Sequence, residues 1–459
     1  MRSETAGSSD RDLDVGTRVA LRLGLVLVVS LVYFWSMAPD VMTDDSAEFQ
    51  VRCPLVQATH APGYPLLLMI GKTMSQLPLA TVSWRLTLLS VVFGVAAVVV
   101  LYELLSLLLS SPWVAFATSL VFAVSHTFWM QSVLPEAYSL NALFHAVLLY
   151  LLARYERFRS ERGAIVATVV FLVAFATGNH QVIVLMLPVY IVWIWWQGEW
   201  GFLTWRRTFG GAAAFVLGAS IYLVLAVRMQ SLAASVELAT GGPARGLLFV
   251  FTPAQVLKRF LVCLGYHAYQ FPLIGAAIGL GGWGWALRRR RGWWALTTAV
   301  WLITVGYAVN FDSSDVYVFY IPAYLVFAIW IGFGFDALYR LAGSRPVSAI
   351  SLLMVSAVLL PPVVYLTTCS SLEKAGQKTL TQDKDLRYYF FPPKNRADWF
   401  GNRMRHLIRT AAPGGAILTD WNYYFTARYL CEIEHLRRDL RICDVTPSSG
   451  DDPKPVRTL

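Results

Sequence analysis

Residues 43–65, TDDSAEFQVRCPLVQATHAPGYP, bring three carboxylates, a histidine and a Pro-Gly-Tyr-Pro turn together directly after the first membrane-length apolar stretch. Asp45 and Glu48 are three residues apart and Asp44 and Glu48 four apart, so one helical turn would set all three acids on one face. Crowded and partly desolvated at a membrane boundary, such carboxylates hold their protons to higher pH. One poised nearer neutrality can take a proton from a hydroxyl. The same D-S-A-E string also fits a capping box, with Asp45 as N-cap and Glu48 reaching back to its amide. His60 precedes Ala61-Pro62-Gly63-Tyr64-Pro65, where two prolines restrict the backbone and a glycine permits a tight reversal. A loop stiffened in this way holds its polar groups in a set geometry.

The elements that must position these groups are membrane helices. With 56% hydrophobic and 14% charged residues and a mean hydropathy of +0.53, the 459-residue chain is too apolar for a soluble globule. The net charge of +10 therefore bears on loop topology and does not point to nucleic acid as a partner. Five cysteines show no metal-ligand spacing, and Cys431 with Cys443 is the one pair placed to bridge. Apolar stretches of spanning length fall at 19–38, 86–110, 112–130, 139–153, 164–180, 181–197, 208–227, 271–287, 292–309, 316–337 and 347–367, so about 11 transmembrane helices are expected. Arg154, Arg157, Arg159 and Arg162, then the run Arg288–Arg291, place those loops in the cytoplasm under the positive-inside rule. The N-terminal tail, residues 1–18, is then cytoplasmic, and the first span is retained as an anchor. The first outer loop, 39–85, faces the other side of the plasma membrane together with a C-terminal domain over 368–459. Segments 65–78 and 252–266 read as helices lying at that outer surface. The C-terminal domain reads as a small βαβ unit, with strands at 416–419 and 440–445. The fold class is thus an all-α polytopic membrane protein, spanning over 19–367, with a small α/β extracytoplasmic domain.

The order of short motifs resembles a known family. D-S-A-E-F, then H-A-P-G-Y-P-L, then W-R-L-T-L-L-S resembles the opening of protein O-mannosyltransferase-like membrane proteins. Phe128-Trp129 with the segment from Pro135 to Asn141, the Gly178-Asn179-His180 turn, and the segment from Asn310 through Asp315 to Leu325 are similar to later parts of that pattern. The resemblance implies a glycosyltransferase of the C fold (GT-C). Such an enzyme takes a sugar from a polyprenyl-phosphate carrier and acts on the extracytoplasmic face. It also implies that Asp45 matches the catalytic acid of the first outer loop and Glu48 the second acid. Ala47 stands where the family often has Gly, Ala61 replaces the first Pro of the turn, and the C-terminal domain is short.

Physical chemistry and resemblance converge on one expectation, in which Asp45 is the base toward a hydroxyl and Glu48 its companion. Asp44, His60, Tyr64, Arg85, Glu136, Tyr138, His180 and Asp315 are the expected substrate-binding residues. Arg85 suits a phosphate through bidentate guanidinium geometry, with Arg52, Lys72, Lys258 and Arg259 as further outer-face cations. No resident cofactor is expected, and His60, His180 and Glu136 as a divalent-metal site is the minority reading. The partners expected are membrane lipid, a polyprenyl-phosphate hexose donor, with mannose the sugar favoured, and an exported protein. The alternatives are a cell-envelope glycan or lipid as acceptor, or a transporter or flippase of lipid-linked sugars. The spans' near freedom from charge, Glu103 excepted, argues against transport.

Overall fold

The computed structural model describes residues 3–197, 205–342, 348–376, 384 and 386–446; the ends of the expected N-terminal tail and C-terminal domain lie outside them. In hydrocarbon every backbone donor and acceptor must be satisfied within the chain, and the apolar segments accordingly form helices. The first outer loop follows α1 (Ser3–Ser36) and holds two short helices, α2 (Asp44–Leu55) and α3 (Pro65–Ser75). There follow α4 (Val82–Leu108), α5 (Pro112–Ala123), α6 (His126–Ser132), α7 (Tyr138–Arg157), α8 (Arg162–Ala176), α9 (Leu187–Trp196), α10 (Trp205–Ala219), α11 (Leu223–Met229) and α12 (Leu232–Ala239). The second half of the bundle consists of α13 (Pro253–Gln270), α14 (Ile274–Arg289), α15 (Arg291–Val309), α16 (Ile321–Ala342) and α17 (Ser348–Lys374).

Fewer helices than the 11 apolar stretches are long and apolar enough, taken singly, to cross a membrane. Among the described residues six helices are long and apolar enough to cross a membrane, or eight if each of two bent pairs counts as one span. The expected 112–130 span is broken between α5 and α6, which meet at 73° where the polar run Ser125-His126-Thr127 interrupts the apolar sequence. Helices α13 and α14 meet at 111°, at Pro272, whose missing N–H ends a helical ladder. The first of them is the segment expected to lie along the surface, and it opens with a full capping box from Thr252 and Gln255. The remaining shortfall is in the shorter or more polar helices α7, α8 and the 181–196 segment.

Helix α16 is the centre of the bundle, with every residue from Ile321 to Ala337 buried. Small residues let α14 pack directly on it. A Cβ added at Gly282 would collide with the Trp330 carbonyl oxygen, and one at Gly334 with the Ile278 carbonyl oxygen. Lipid tails are as apolar as leucine, so close van der Waals contact of this kind is what associates helices in a membrane. Two acids within long helices are paired: Glu103 accepts from Arg22 at 2.5 Å, and buried Asp336 accepts from Arg340 at 2.7 Å and from the Ser110 amide at 2.8 Å.

The C-terminal domain contains α18 (Leu386–Phe390), α19 (Trp399–Thr410), β1 (Ala416–Thr419), α20 (Trp421–Arg428) and β2 (Arg441–Asp444). The two strands pair in parallel, with Ala416 opposite Arg441, as a right βαβ reading of the sequence requires. Cys431 and Cys443 are both free thiols, so the expected candidate bridge is not formed. The domain is fastened to the membrane region by charge and by packing. Arg405 donates to both Asp40 oxygens, at 2.5 and 2.8 Å, and also to Glu434, while Val41, Ala47 and Val51 share a core with Met404, Phe425 and Tyr429.

Substituting Gly282→Ala forces α14 off α16 and is expected to cost about 1–3 kcal/mol, the usual range for overpacking. Thermal unfolding in detergent should show a clearly lower midpoint for this variant than for Gly281→Ala, a position with open space around it.

Candidate active site

The site is organised by the first turn of α2. Thr43 precedes it in extended conformation without capping it by its side chain, and Asp44 takes a left-handed backbone with φ 55°. That conformation is uncommon for a residue with a Cβ and marks a position under local constraint. Glu48 does not return to the helix start, as the capping-box alternative would require. Its buried carboxylate instead accepts from His60 Nδ1 at 2.5 Å and from the His60 amide at 3.3 Å.

The loop that delivers His60 is built as its residue types dictate. Gly63 adopts φ +85°, its amide donates to the His60 carbonyl at 2.8 Å, and a Cβ there would strike Leu225 and Leu238. The Ala61–Pro62 bond is cis. Pro65 then starts α3, and the Leu66 amide donates to Gly178, joining this loop to the turn that carries His180. Tyr64 lies edge-on to both His60 and Phe49, at 5.2 and 5.1 Å between ring centroids.

Asp45 stands on the open side of this pair, its Oδ2 3.8 Å from His60 Nε2 and its side chain about a third exposed. Burial beneath the rim of the protein pushes its carboxyl up to about 6; the His60 charge opposes this, and the charges of Asp315, Glu48 and Asp44 reinforce it. Burial disfavours the His60 cation, but the Asp45 charge and the Glu48 hydrogen bond outweigh it and push the imidazole up to about 9. Around neutrality the centre is therefore a histidine cation shared between two carboxylates.

Glu136, buried before α7, accepts from Ser46 Oγ at 2.5 Å, and its amide donates to Ser90 at 3.1 Å. Burial and the nearby Asp45 charge raise its carboxyl well above the usual range. Tyr138, His180 and Phe319 form an aromatic cluster with centroids 5.5–6.0 Å apart. Burial, and then the His60 charge, push His180 down to about 4 and leave it neutral. Asp315 accepts from Ser313, and its charge is felt at Asp45 and Glu136.

The structure thus brings Asp44, Asp45, Glu48, His60, Tyr64, Glu136, Tyr138, His180 and Asp315 to one end of the bundle. Arg85 makes no ion pair with any of them, and its Nε is buried without a hydrogen-bond partner. Sequence reasoning missed Ser46, Phe319 and Lys384. Ser46 lies inside the D-S-A-E string and was legible there as a donor, whereas Lys384, which pairs with Asp44, is 340 positions away and had no local signal.

As for a metal, Asp45, Glu48 and His60 each offer one ligand atom, all within 4.8 Å of one another. Among the described residues these atoms converge, rather than those of His60, His180 and Glu136. A ligand must be neutral imidazole, so an ion held there would displace the His60 proton, which the same two carboxylates otherwise retain.

Residues 45–202 match the family model described as the Protein O-mannosyl-transferase TMEM260 N-terminal domain. The expected resemblance is shown. The matching segment starts at Asp45 and runs past His180, so it contains most of the site but not Asp44, Asp315, Phe319 or Lys384. The chain is 26% identical over 186 residues to Protein O-mannosyl-transferase tmem260 of Dictyostelium discoideum, covering 37% of this chain and 22% of that protein. It is 30% identical over 169 residues to Protein O-mannosyl-transferase TMEM260 of Mus musculus, covering 36% and 24% respectively. Each match spans under a quarter of the relative's own length. Over the whole fold, the chain is similar to the crystal structure of ArnT from Cupriavidus metallidurans bound to undecaprenyl phosphate. The TM-score is 0.59 at 13% identity, covering 92% of this chain and 85% of that one. The apo form of the same protein gives 0.54 at 14% identity, over 94% and 90%. The architecture is therefore that of a GT-C multi-pass membrane protein, the fold expected from the sequence.

The raised proton affinity of His60 has a consequence for stability. The unfolded imidazole titrates near 6.5, so the folded state's extra stabilisation is complete below that pH and is lost as pH rises through about 9. Melting temperature should fall across this window, and Glu48→Gln should flatten the fall. A slope unchanged by Glu48→Gln would show that the pair does not set the His60 proton affinity.

Proposed function

We propose that this protein is a membrane glycosyltransferase that moves a hexose, mannose being favoured, from a polyprenyl-phosphate carrier to a hydroxyl of an exported protein. The observation that carries this reading is Asp45: an acid at the open side of a cationic histidine, with its proton affinity tuned to about 6, at the membrane-boundary end of a GT-C fold. A base of that strength is ionised at neutral pH yet retains enough affinity to accept a hydroxyl proton. The fold likeness to an ArnT structure bound to undecaprenyl phosphate supports a lipid-borne donor, and the names of the matched relatives support a protein hydroxyl as acceptor.

In this mechanism Asp45 Oδ2 takes the acceptor's proton while the hydroxyl oxygen attacks the anomeric carbon. The bond from that carbon to the phosphate oxygen breaks, and its electron pair leaves with the polyprenyl phosphate. A single displacement of this kind inverts the anomeric centre. His60, held by Glu48, keeps Asp45 ionised at working pH. Glu136 can hydrogen-bond a sugar hydroxyl, and the rings of Tyr138 and Phe319 can pack against the C–H face of a sugar. A transporter reading would need free charge in the spans, whereas Glu103 and Asp336 are both satisfied by arginines.

The test is transfer of labelled sugar from a polyprenyl-phosphate donor by the purified protein, with exported-protein peptides and envelope glycans as competing acceptors. Asp45→Asn should lower the rate about 100- to 10,000-fold, the usual contribution of a positioned base. The rate should rise with pH through about 6 as Asp45 ionises and fall near 9 as His60 loses its proton. His60→Gln should move the acid limb to higher pH, because the cation that favours the carboxylate is gone. Undiminished transfer by Asp45→Asn would remove the assigned base.

A further inference from the structure

Displacement from a lipid phosphate needs a cation where the phosphate departs, and the cations at this end of the bundle are mostly committed elsewhere. Lys72 donates to the Pro54 carbonyl, Arg228 to those of Leu55 and Val56, and Arg259 to those of Val309 and Phe311. Arg52 donates to Gln57, lies over the Phe425 ring and has its Nε 3.8 Å from buried Glu48. These groups close helix ends and fasten the loops.

Lys384 is different. It comes from the chain that follows α17, and its ammonium pairs with Asp44, the one acid of the α2 turn that neither His60 nor Ser46 engages. The ammonium also lies 4.7 Å from the centre of the Tyr388 ring. The Asp44 side chain is about a third exposed while that of Lys384 is mostly covered, so the pair meets solvent on the carboxylate's side. A lysine ammonium is a compact charge on a four-carbon stem, so it can exchange a carboxylate for a phosphate without a fixed bidentate geometry.

We propose that Lys384 is the phosphate-binding cation of this site, held by Asp44 in the free protein and transferred to the lipid phosphate when the donor is bound. The inference rests on the glycosyl-transfer reading above and adds to it a residue from outside the segment that matches the family. Its chemistry favours the reaction and not merely binding. A polyprenyl-phosphate sugar is a diester with one negative charge, whereas the departing phosphate monoester approaches two. A lysine at that oxygen therefore attracts the transition state more strongly than the ground state. Asp44, whose left-handed backbone sets it apart from the rest of α2, has the complementary role of holding the ammonium in place until the phosphate arrives.

Binding of polyprenyl phosphate to the full chain in nanodiscs, alongside kcat for sugar transfer, tests this. Lys384→Met is expected to weaken polyprenyl phosphate binding about 10- to 100-fold, the value of one charge-assisted contact, and to lower kcat, while Lys384→Arg retains both. Asp44→Asn, which frees the ammonium, should bind polyprenyl phosphate as tightly as the unaltered protein or more tightly. If the pair were only a structural tie, both Lys384→Met and Asp44→Asn would lower the melting temperature alike and leave phosphate affinity unchanged; that result overturns the assignment. Tight binding by the unaltered protein with equal binding by Lys384→Met defeats this proposal alone. No binding by the unaltered protein defeats it together with the lipid-donor reading.

Discussion

The site depends on the bond between Glu48 and His60. A carboxylate as buried as that of Glu48 is tolerated only when it is paired and hydrogen-bonded, and His60 satisfies it twice, through the ring and through the backbone amide. The bond fixes the start of α2 against the loop that runs into α3. The remaining ring nitrogen is thereby turned toward Asp45, so one interaction both orders the loop and adjusts the acid beside it. Deleting His60 would leave buried Glu48 with only Arg52, 3.8 Å away, and the loop would lose its anchor.

This pair holds its geometry because α2 is enclosed on two sides. On one side lie the bundle and the turn at Gly178, which receives the Leu66 amide. On the other lies the C-terminal domain, whose Thr426 hydroxyl donates to Met42 at 2.6 Å and whose Tyr429 hydroxyl accepts from the Ser83 amide at 2.9 Å. An amphipathic twelve-residue helix is marginal alone. Sandwiched in this way it becomes a rigid mount, and Asp45 keeps the partial burial that raises its proton affinity. The short C-terminal domain is thus structurally part of the acid site, a role its sequence did not announce.

The broken helices act in the same direction. At the α5–α6 break, Gln270 accepts from the Thr127 amide at 2.8 Å and donates to its hydroxyl at 2.8 Å, so polar groups from two bent spans satisfy one another. Backbone that leaves the helical ladder at membrane depth survives only where protein supplies such partners. The bends of 73° and 111° change the course of α6 and α14 relative to the helices that precede them.

The local content of the site was legible in the sequence because it is governed by short-range rules. The spacing of Asp45 and Glu48 follows helical periodicity, the turn at Gly63 follows from glycine and proline geometry, and the βαβ order of the tail follows from strand and helix patterning. Apolar length alone identified a membrane protein, and the linear order of motifs identified the kind of fold. What only the tertiary structure decided is which groups meet: that Glu48 serves His60 and not its own helix start, that Glu136 and Asp315 converge on Asp45 from distant loops, that α5 and α13 bend, and that Lys384 reaches Asp44. Helix periodicity constrains neighbours three or four residues apart. Contacts across tens or hundreds of residues are set by how whole helices pack, and charge pairing at that range leaves no trace in local spacing.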